Sequence, residues 1–150
     1  MFTKSISTNV EINAEPEEVW DVLVDFDSHP DWDPFVTRIS GRPAVGERLE
    51  VTMQPVGGKA MDFHPTVLAA RPSREFRWIG HLFLPGIFDG EHAFEIEPLD
   101  GGRVRFTQSE RFRGILVPFL SRMLDRGTEP GFEAMNEALK ERVEKQHAVK

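Results

Sequence analysis

His92 and Glu110 are the side chains whose types and spacing best fit acid/base chemistry. Asp100-Gly101-Gly102 between them reads as a tight hairpin turn. With those residues as the turn, Leu99 opposes Arg103. Counting back then sets Ile96 opposite Phe106, Phe94 opposite Gln108 and His92 opposite Glu110. Side chains alternate across a strand, so these last six share the inward face, and their largely apolar character supports the register. A carboxylate beside an imidazole favours the charged ring and fixes its tautomer, which suits a general acid or base. The same positions equally suit a structural pair, or a pair at the sheet edge in water. Inward polar groups are informative because burying them costs free energy unless they are paired.

Other chemistries find less support. His29, Asp31 and Asp33 are close in sequence, but proline and tryptophan interleave them without a metal-ligand spacing. His64 and His81 fall on outward strand positions, and no HExxH motif occurs. Ser109 is outward by alternation and no GxSxG elbow is present, so a nucleophilic triad is not indicated. No P-loop or dinucleotide fingerprint occurs, and no metal or cofactor is expected.

These residues need strands and a cover to position them. Ile6, Thr8, Val10 and Ile12 alternate with polar residues as a half-buried strand. Pro16 with Glu17 and Glu18 opens a helix whose buried side is Val19, Trp20, Leu23 and Phe26. Residues 27–34 form a turn or a short second helix between two prolines, and Phe35 to Ser40 a short strand. Leu49, Val51 and Met53 define another strand, turned by Gly57-Gly58. Met61, Phe63, Pro65, Val67 and Ala69 share one face of the next, where the proline predicts an edge or a bulge. Phe76, Trp78, Gly80 and Leu82 line the following strand, and the His92 and Glu110 strands close the series.

Val117, Leu120, Leu124, Phe132, Met135, Leu139 and Val143 then form an apolar stripe at helical spacing. The spacing predicts one long helix, kinked near Pro130, or else two helices. Gly127 and Gly131 lie near the stripe, where they either leave space beneath the helix or merely permit the kink. The order is strand, helix or helix pair, six strands, long helix. Short turns imply an antiparallel sheet, hence an α+β layer architecture.

The chain has 150 residues, no cysteine and a formal charge of −7. That length suits one domain, spanning 1–150, burying roughly 70% of the surface of its unfolded chain. The acidic balance argues against nucleic acid or an anionic membrane as the main partner. No run approaches ~20 apolar residues, so no integral membrane segment is expected. The N-terminus lacks an apolar core of signal-peptide length, and a cytoplasmic location is expected. Phe83-Leu84-Pro85-Gly86-Ile87-Phe88 is an apolar loop, which suits a pocket mouth, a gate or a contact surface, or core folded under the long helix.

Ala14-Glu15-Pro16-Glu17-Glu18-Val19-Trp20-Asp21-Val22-Leu23, followed by Trp32-Asp33-Pro34-Phe35, resembles the SRPBCC superfamily. This superfamily includes lipid-transfer START domains, the birch-pollen allergen type and polyketide cyclase/dehydrase-like proteins. The resemblance continues through Leu84 to His92 and ends in Gly131 to Leu139, so it covers nearly the whole chain. Asp33 departs from the asparagine frequent in relatives, and Pro130 falls inside the expected long helix. The resemblance implies a helix-grip fold: a curved antiparallel sheet of about seven strands around a long C-terminal helix, with one or two short helices after strand 1. It also implies an apolar cavity between sheet and helix. It does not imply one chemistry.

The expected ligand-contacting set follows from that cavity. Phe63, Trp78, Leu82, Phe94, Phe106, Gln108 and Phe112 come from the strands. Trp32, Ile87 and Phe88 come from the connections, and Leu120, Leu124, Gly131 and Met135 from the terminal helix. Trp32 and Trp78 are either core aromatics or walls that stack on a flat ligand. The leading expectation is binding or transport of a small hydrophobic molecule such as a lipid, a polyketide or an aromatic. A cyclase or dehydratase with His92 and Glu110 as acid and base is the second. An interaction module of the chaperone-ATPase-activator type, using the apolar loop, is the third. The oligomeric state stays open between monomer and dimer.

Overall fold

The computed structural model describes residues 2–82 and 84–150. The N-terminal part runs β1 (Thr3–Ile12), α1 (Pro16–Val24), a 3-10 turn (Phe26–Ser28), α2 (His29–Trp32), β2 (Val36–Ser40) and β3 (Glu50–Met53). Then follow β4 (Met61–Phe63), β5 (Thr66–Arg71), β6 (Glu75–Leu82), β7 (Phe88–Leu99) and β8 (Arg103–Arg113). The chain ends in α3 (Val117–Met123), a π-helical turn (Leu124–Thr128) and α4 (Glu129–Ala148). The fold is α+β, with antiparallel strands and helices packed against the sheet.

The strands form two sheets, ordered β1-β8-β7-β6-β5 and β2-β3-β4. The hairpin between β7 and β8 sets Leu99 against Arg103, Ile96 against Phe106, Phe94 against Gln108 and His92 against Glu110, the register the turn length predicts. Gly101 and Gly102 have φ of +79° and +73°, a conformation glycine adopts without a steric penalty.

The single strand expected over Met61 to Ala69 is instead two strands in different sheets. Pro65 has no N–H to give a ladder, so pairing stops there. The two sheets remain stitched at this point. The Leu49 N–H donates to the Pro65 carbonyl at 2.8 Å and the Val67 N–H to the Glu47 carbonyl at 2.9 Å. Eight strands in two sheets therefore replace about seven in one.

The terminal helix is continuous for 32 residues, with a widened turn at its expected weak point. Pro130 cannot donate to the Arg126 carbonyl, and its ring crowds that turn. The chain absorbs the conflict with a π turn, in which the Glu129 N–H reaches back to the Leu124 carbonyl. Gly127 there lies against Pro55 and Val56, and its carbonyl accepts the Val56 N–H at 3.1 Å. Beyond the turn, α4 packs on β1, α1 and β8. Phe132, Met135, Leu139 and Val143 are buried there together with Phe76, Phe94 and Phe106.

Candidate functional site

β7 and β8 hold His92 and Glu110 side by side, with His92 Nδ1 3.1 Å from Glu110 Oε1. His92 is fully buried and the Glu110 side chain nearly so. A hydrogen-bond chain fixes the imidazole from behind. Thr8 donates its hydroxyl proton to the Gln108 carbonyl (3.2 Å), leaving a lone pair for Asn136 Nδ2 (2.8 Å). Asn136 Oδ1 must then accept, and it does so from Gln108 Nε2 at 2.9 Å. Gln108 Nε2 also faces the Phe132 carbonyl, so Gln108 Oε1 is turned to His92 Nε2 at 2.9 Å. An amide oxygen only accepts, so Nε2 carries a proton. The Nδ1 to Glu110 contact then needs one further proton, carried by either partner. The pair is thus a carboxylate and an imidazole holding a proton in common, oriented by β1, β8 and α4.

Glu110 borders a cavity that opens between β4, the end of β6, the start of β7 and the π turn. Among the expected ligand contacts, Phe63, Trp78, Leu82, Phe88, Phe112 and Leu124 line it. Phe88 and Phe112 stack with centroids 5.4 Å apart. Trp78 separates the cavity from the core and lies 5.1 Å from the His92 ring. Side chains not singled out in the sequence complete the wall, including Phe35, Met53, Met61, Met123 and Thr128. The cavity volume is about 70 Å³, room for a few waters and far less than a drug-sized ligand fills.

The remaining expected contacts lie elsewhere. Gly131 does not face the cavity: a Cβ there would overlap the ring of Phe35, which stacks edge-on against Phe132. The room left by Gly131 is thus already taken by a neighbouring ring. Phe94, Phe106 and Met135 are core residues, closed off by Trp78 and α4, and Gln108 is committed to the network behind His92. Leu120 is half-buried on α3 away from the wall. Ile87 is tied into the turn, its carbonyl accepting the Leu116 N–H. In the loop expected at Phe83 to Phe88, Phe83 lies outside the described residues. Leu84 is exposed, and Asp89 holds the turn by accepting the Gly86 N–H.

Trp32 packs on His29 with centroids 4.9 Å apart, away from the cavity. His29 and Asp33 form a second, fully buried pair at 2.9 Å. His29 Nε2 also meets the Leu23 carbonyl, and Asp33 Oδ1 accepts the N–H groups of Phe35 and Val36. Burial pushes the Asp33 carboxyl above its ordinary value, although His29 and the two N–H groups oppose the shift. This pair joins α2 to β2 and does not line the cavity beside Glu110. Its sequence signal was the i,i+4 spacing. Asn136 was legible only as a polar residue one turn after Phe132 in the apolar stripe. Among the described residues, no three His, Cys, Asp or Glu side chains are grouped to hold a metal ion.

The family model for polyketide cyclase/dehydrase and lipid transport proteins matches residues 3–144. The chain belongs to this family. Its fold is shared by solved structures at low sequence identity. The Zhui aromatase/cyclase from Streptomyces sp. R1128 superposes with a TM-score of 0.78 at 16% identity, covering 97% of this chain and 96% of that one. A point mutant of Thalictrum flavum norcoclaurine synthase, in complex with a transition-state analogue, gives 0.75 at 18% identity, covering 97% of each chain. A START superfamily protein from Mycobacterium smegmatis gives 0.71 at 20% identity, covering 95% and 98%. No curated protein matches the sequence. At these identities the structural likeness shows the fold of this polyketide cyclase/dehydrase and lipid transport family member, and its chemistry has to be argued from the cavity.

Proposed function

We propose that this chain binds a small, largely apolar molecule carrying one hydrogen-bonding group in the cavity beside Glu110. The carrying observation is an almost wholly apolar wall with a single buried carboxylate in it. Phe63, Phe88 and Phe112 supply flat apolar surface, and the second oxygen of Glu110, free of the proton held with His92, accepts from and orients a hydroxyl. The narrow cavity widens to admit such a molecule. Met53, Met61 and Met123 on its wall have the unbranched, adaptable side chains that allow this. Family membership supports the reading, since the family's name couples lipid transport with cyclase chemistry.

Native mass spectrometry of the purified protein for a co-purified apolar molecule, with titration of an apolar fluorescent probe, tests it. Probe binding should be saturable and should weaken at least tenfold in Leu82→Arg, which places a charge on the wall; equal affinity in a folded Leu82→Arg variant overturns the reading.

A second reading, acid/base catalysis of the cyclase or dehydratase kind, is favoured by the proton held between His92 and Glu110 at the cavity wall. In it the Glu110 carboxylate, kept ionised by the proton on His92 Nδ1, takes a proton from carbon next to a carbonyl, and the electrons of the broken C–H bond move onto the carbonyl oxygen as an enolate. Beyond Glu110, the lining residues with polar side chains are His81, whose ring is engaged with Asp89, and Thr128, so donors for a developing oxyanion are few. Binding is therefore the leading function. Turnover of a polyketide-like substrate that disappears in His92→Gln while binding persists would reverse that order.

A further inference from the structure

One surface of the molecule is both apolar and basic, and the cavity reading does not use it. Leu84, Ile115, Phe119 and Met123 are exposed, Phe119 to 80%. They are neighbours: the Ile115 N–H donates to the Gly86 carbonyl in the turn that carries Leu84, and Phe119 and Met123 are one turn apart on α3. An exposed phenylalanine at that accessibility, with three further exposed apolar side chains beside it, is a contact surface.

Its charge sets it apart from the rest of the chain. Along residues 111–126 of a chain of net charge −7, Arg111, Arg113, Arg122 and Arg126 stand against Asp125, and the two acids set opposite Arg111 and Arg113 across the β7–β8 ladder, Glu91 and Asp89, are already paired with Arg77 and His81. All four arginines are exposed, and none makes an ion pair among the described residues, whereas Asp125 is neutralised by Lys4 at 2.9 Å. Arg122 and Arg126 flank Phe119 and Met123 along α3 and the π turn, and Arg113 ends the strand that leads to Ile115. Overall acidity argues against an anionic partner, but within a Debye length of about 8 Å the local charge governs attraction.

We propose that this patch docks peripherally on an anionic lipid surface, Phe119, Ile115 and Leu84 entering the headgroup boundary and the arginines meeting lipid phosphates. Exposed aromatic and aliphatic side chains ringed by arginine match the chemistry of such a surface, where apolar insertion and electrostatic attraction add. Met123 belongs to the patch and also lines the cavity, so the docked face borders the cavity mouth. The docking itself rests on exposure and charge and not on the ligand reading.

Co-sedimentation with vesicles of phosphatidylcholine alone, and of phosphatidylcholine with phosphatidylglycerol, tests the proposal. The protein should sediment with the anionic vesicles, much less with the neutral ones, and less as salt is raised. Phe119→Asp should reduce anionic-vesicle binding to the neutral-vesicle level. Arg122→Gln with Arg126→Gln should weaken it by about fivefold for each arginine removed. These side chains are exposed, so circular dichroism should show unchanged folds. Absent sedimentation with anionic vesicles, or sedimentation unaffected by Phe119→Asp, overturns the proposal. A concentration-dependent dimer that Phe119→Asp dissociates, without vesicle binding, overturns it too and assigns the patch to a second copy of the chain.

Discussion

The carboxylate of Glu110 lies over Gly90, so closely that a Cβ on Gly90 would overlap Oε2. Gly90 is opposite Phe112 in the β7–β8 ladder and also borders the cavity. Its missing side chain is what lets Glu110 lie back across the strand and meet His92. Glycine here answers a close approach, since its φ is not in the left-handed region.

Gly90→Ala should therefore push the Glu110 carboxylate off His92 with little harm to the fold, because the displaced atoms are the end of a flexible side chain. Nitrogen-15 shifts of the His92 ring would read the loss at Nδ1, with Nε2 still protonated toward Gln108. Unchanged ring shifts in Gly90→Ala would show that the carboxylate is not held where the structure places it.

Gly131→Ala should destabilise the protein although alanine is the better helix former. The added Cβ meets the ring of Phe35, which is fully buried and has little freedom to move. Overpacking of this kind costs about 1–3 kcal/mol, against roughly 1 kcal/mol gained in helix propensity. Chemical denaturation should show a net loss, and Phe35→Leu in the same chain should recover part of it. A stabilised Gly131→Ala variant would mean that Phe35 leaves the space above α4 free.

The protein should lose stability in acid partly through Glu18. Burial works against ionisation of its carboxyl, but the Glu15 N–H, Lys150 and His147 together hold it down to about 2, from 4.5. A folded value below the unfolded one means stabilisation that is full above about 4.5 and is lost as pH falls toward 2. Glu144, which accepts the Asn13 N–H and Lys140, is shifted in the same direction. Both residues tie α4 to the N-terminal part of the chain. Glu18→Gln should narrow the stability difference between pH 7 and pH 3 measured by urea denaturation; an unchanged difference would remove Glu18 from the account.

Local pattern alone determined a good deal of this protein. The alternation in β1, the proline and acidic start of α1, and the length of the Asp100-Gly101-Gly102 turn are short-range properties. From them follow the α+β class and the pairing of His92 with Glu110, because a side-chain period of two leaves no freedom once the turn length is known. The stripe from Val117 to Val143 likewise implied helix across the sheet, either one kinked near Pro130 or two. What the helix does at Pro130 depended on a choice between a kink, a break and a widened turn. The π turn is seated there on the Pro55–Val56 loop, a contact between segments far apart in sequence.

Tertiary structure alone decided where the empty space lies. Inward-facing position was readable, but whether an inward side chain meets a cavity or another ring depends on what the opposing segments place there. Phe35 fills the gap over Gly131, and α4 with Trp78 closes Phe94 and Phe106 into the core, so the cavity moves outward to Phe63, Leu82, Phe88 and Phe112. The break at Pro65 contributes as well, since it turns β4 into the second sheet and brings Met61 and Phe63 to the cavity wall. The basic patch shows the same limit. Arg113, Ile115, Phe119 and Arg122 were visible as residues, but their exposure follows from which helix face α3 turns away from the sheet, a face only the packed chain selects.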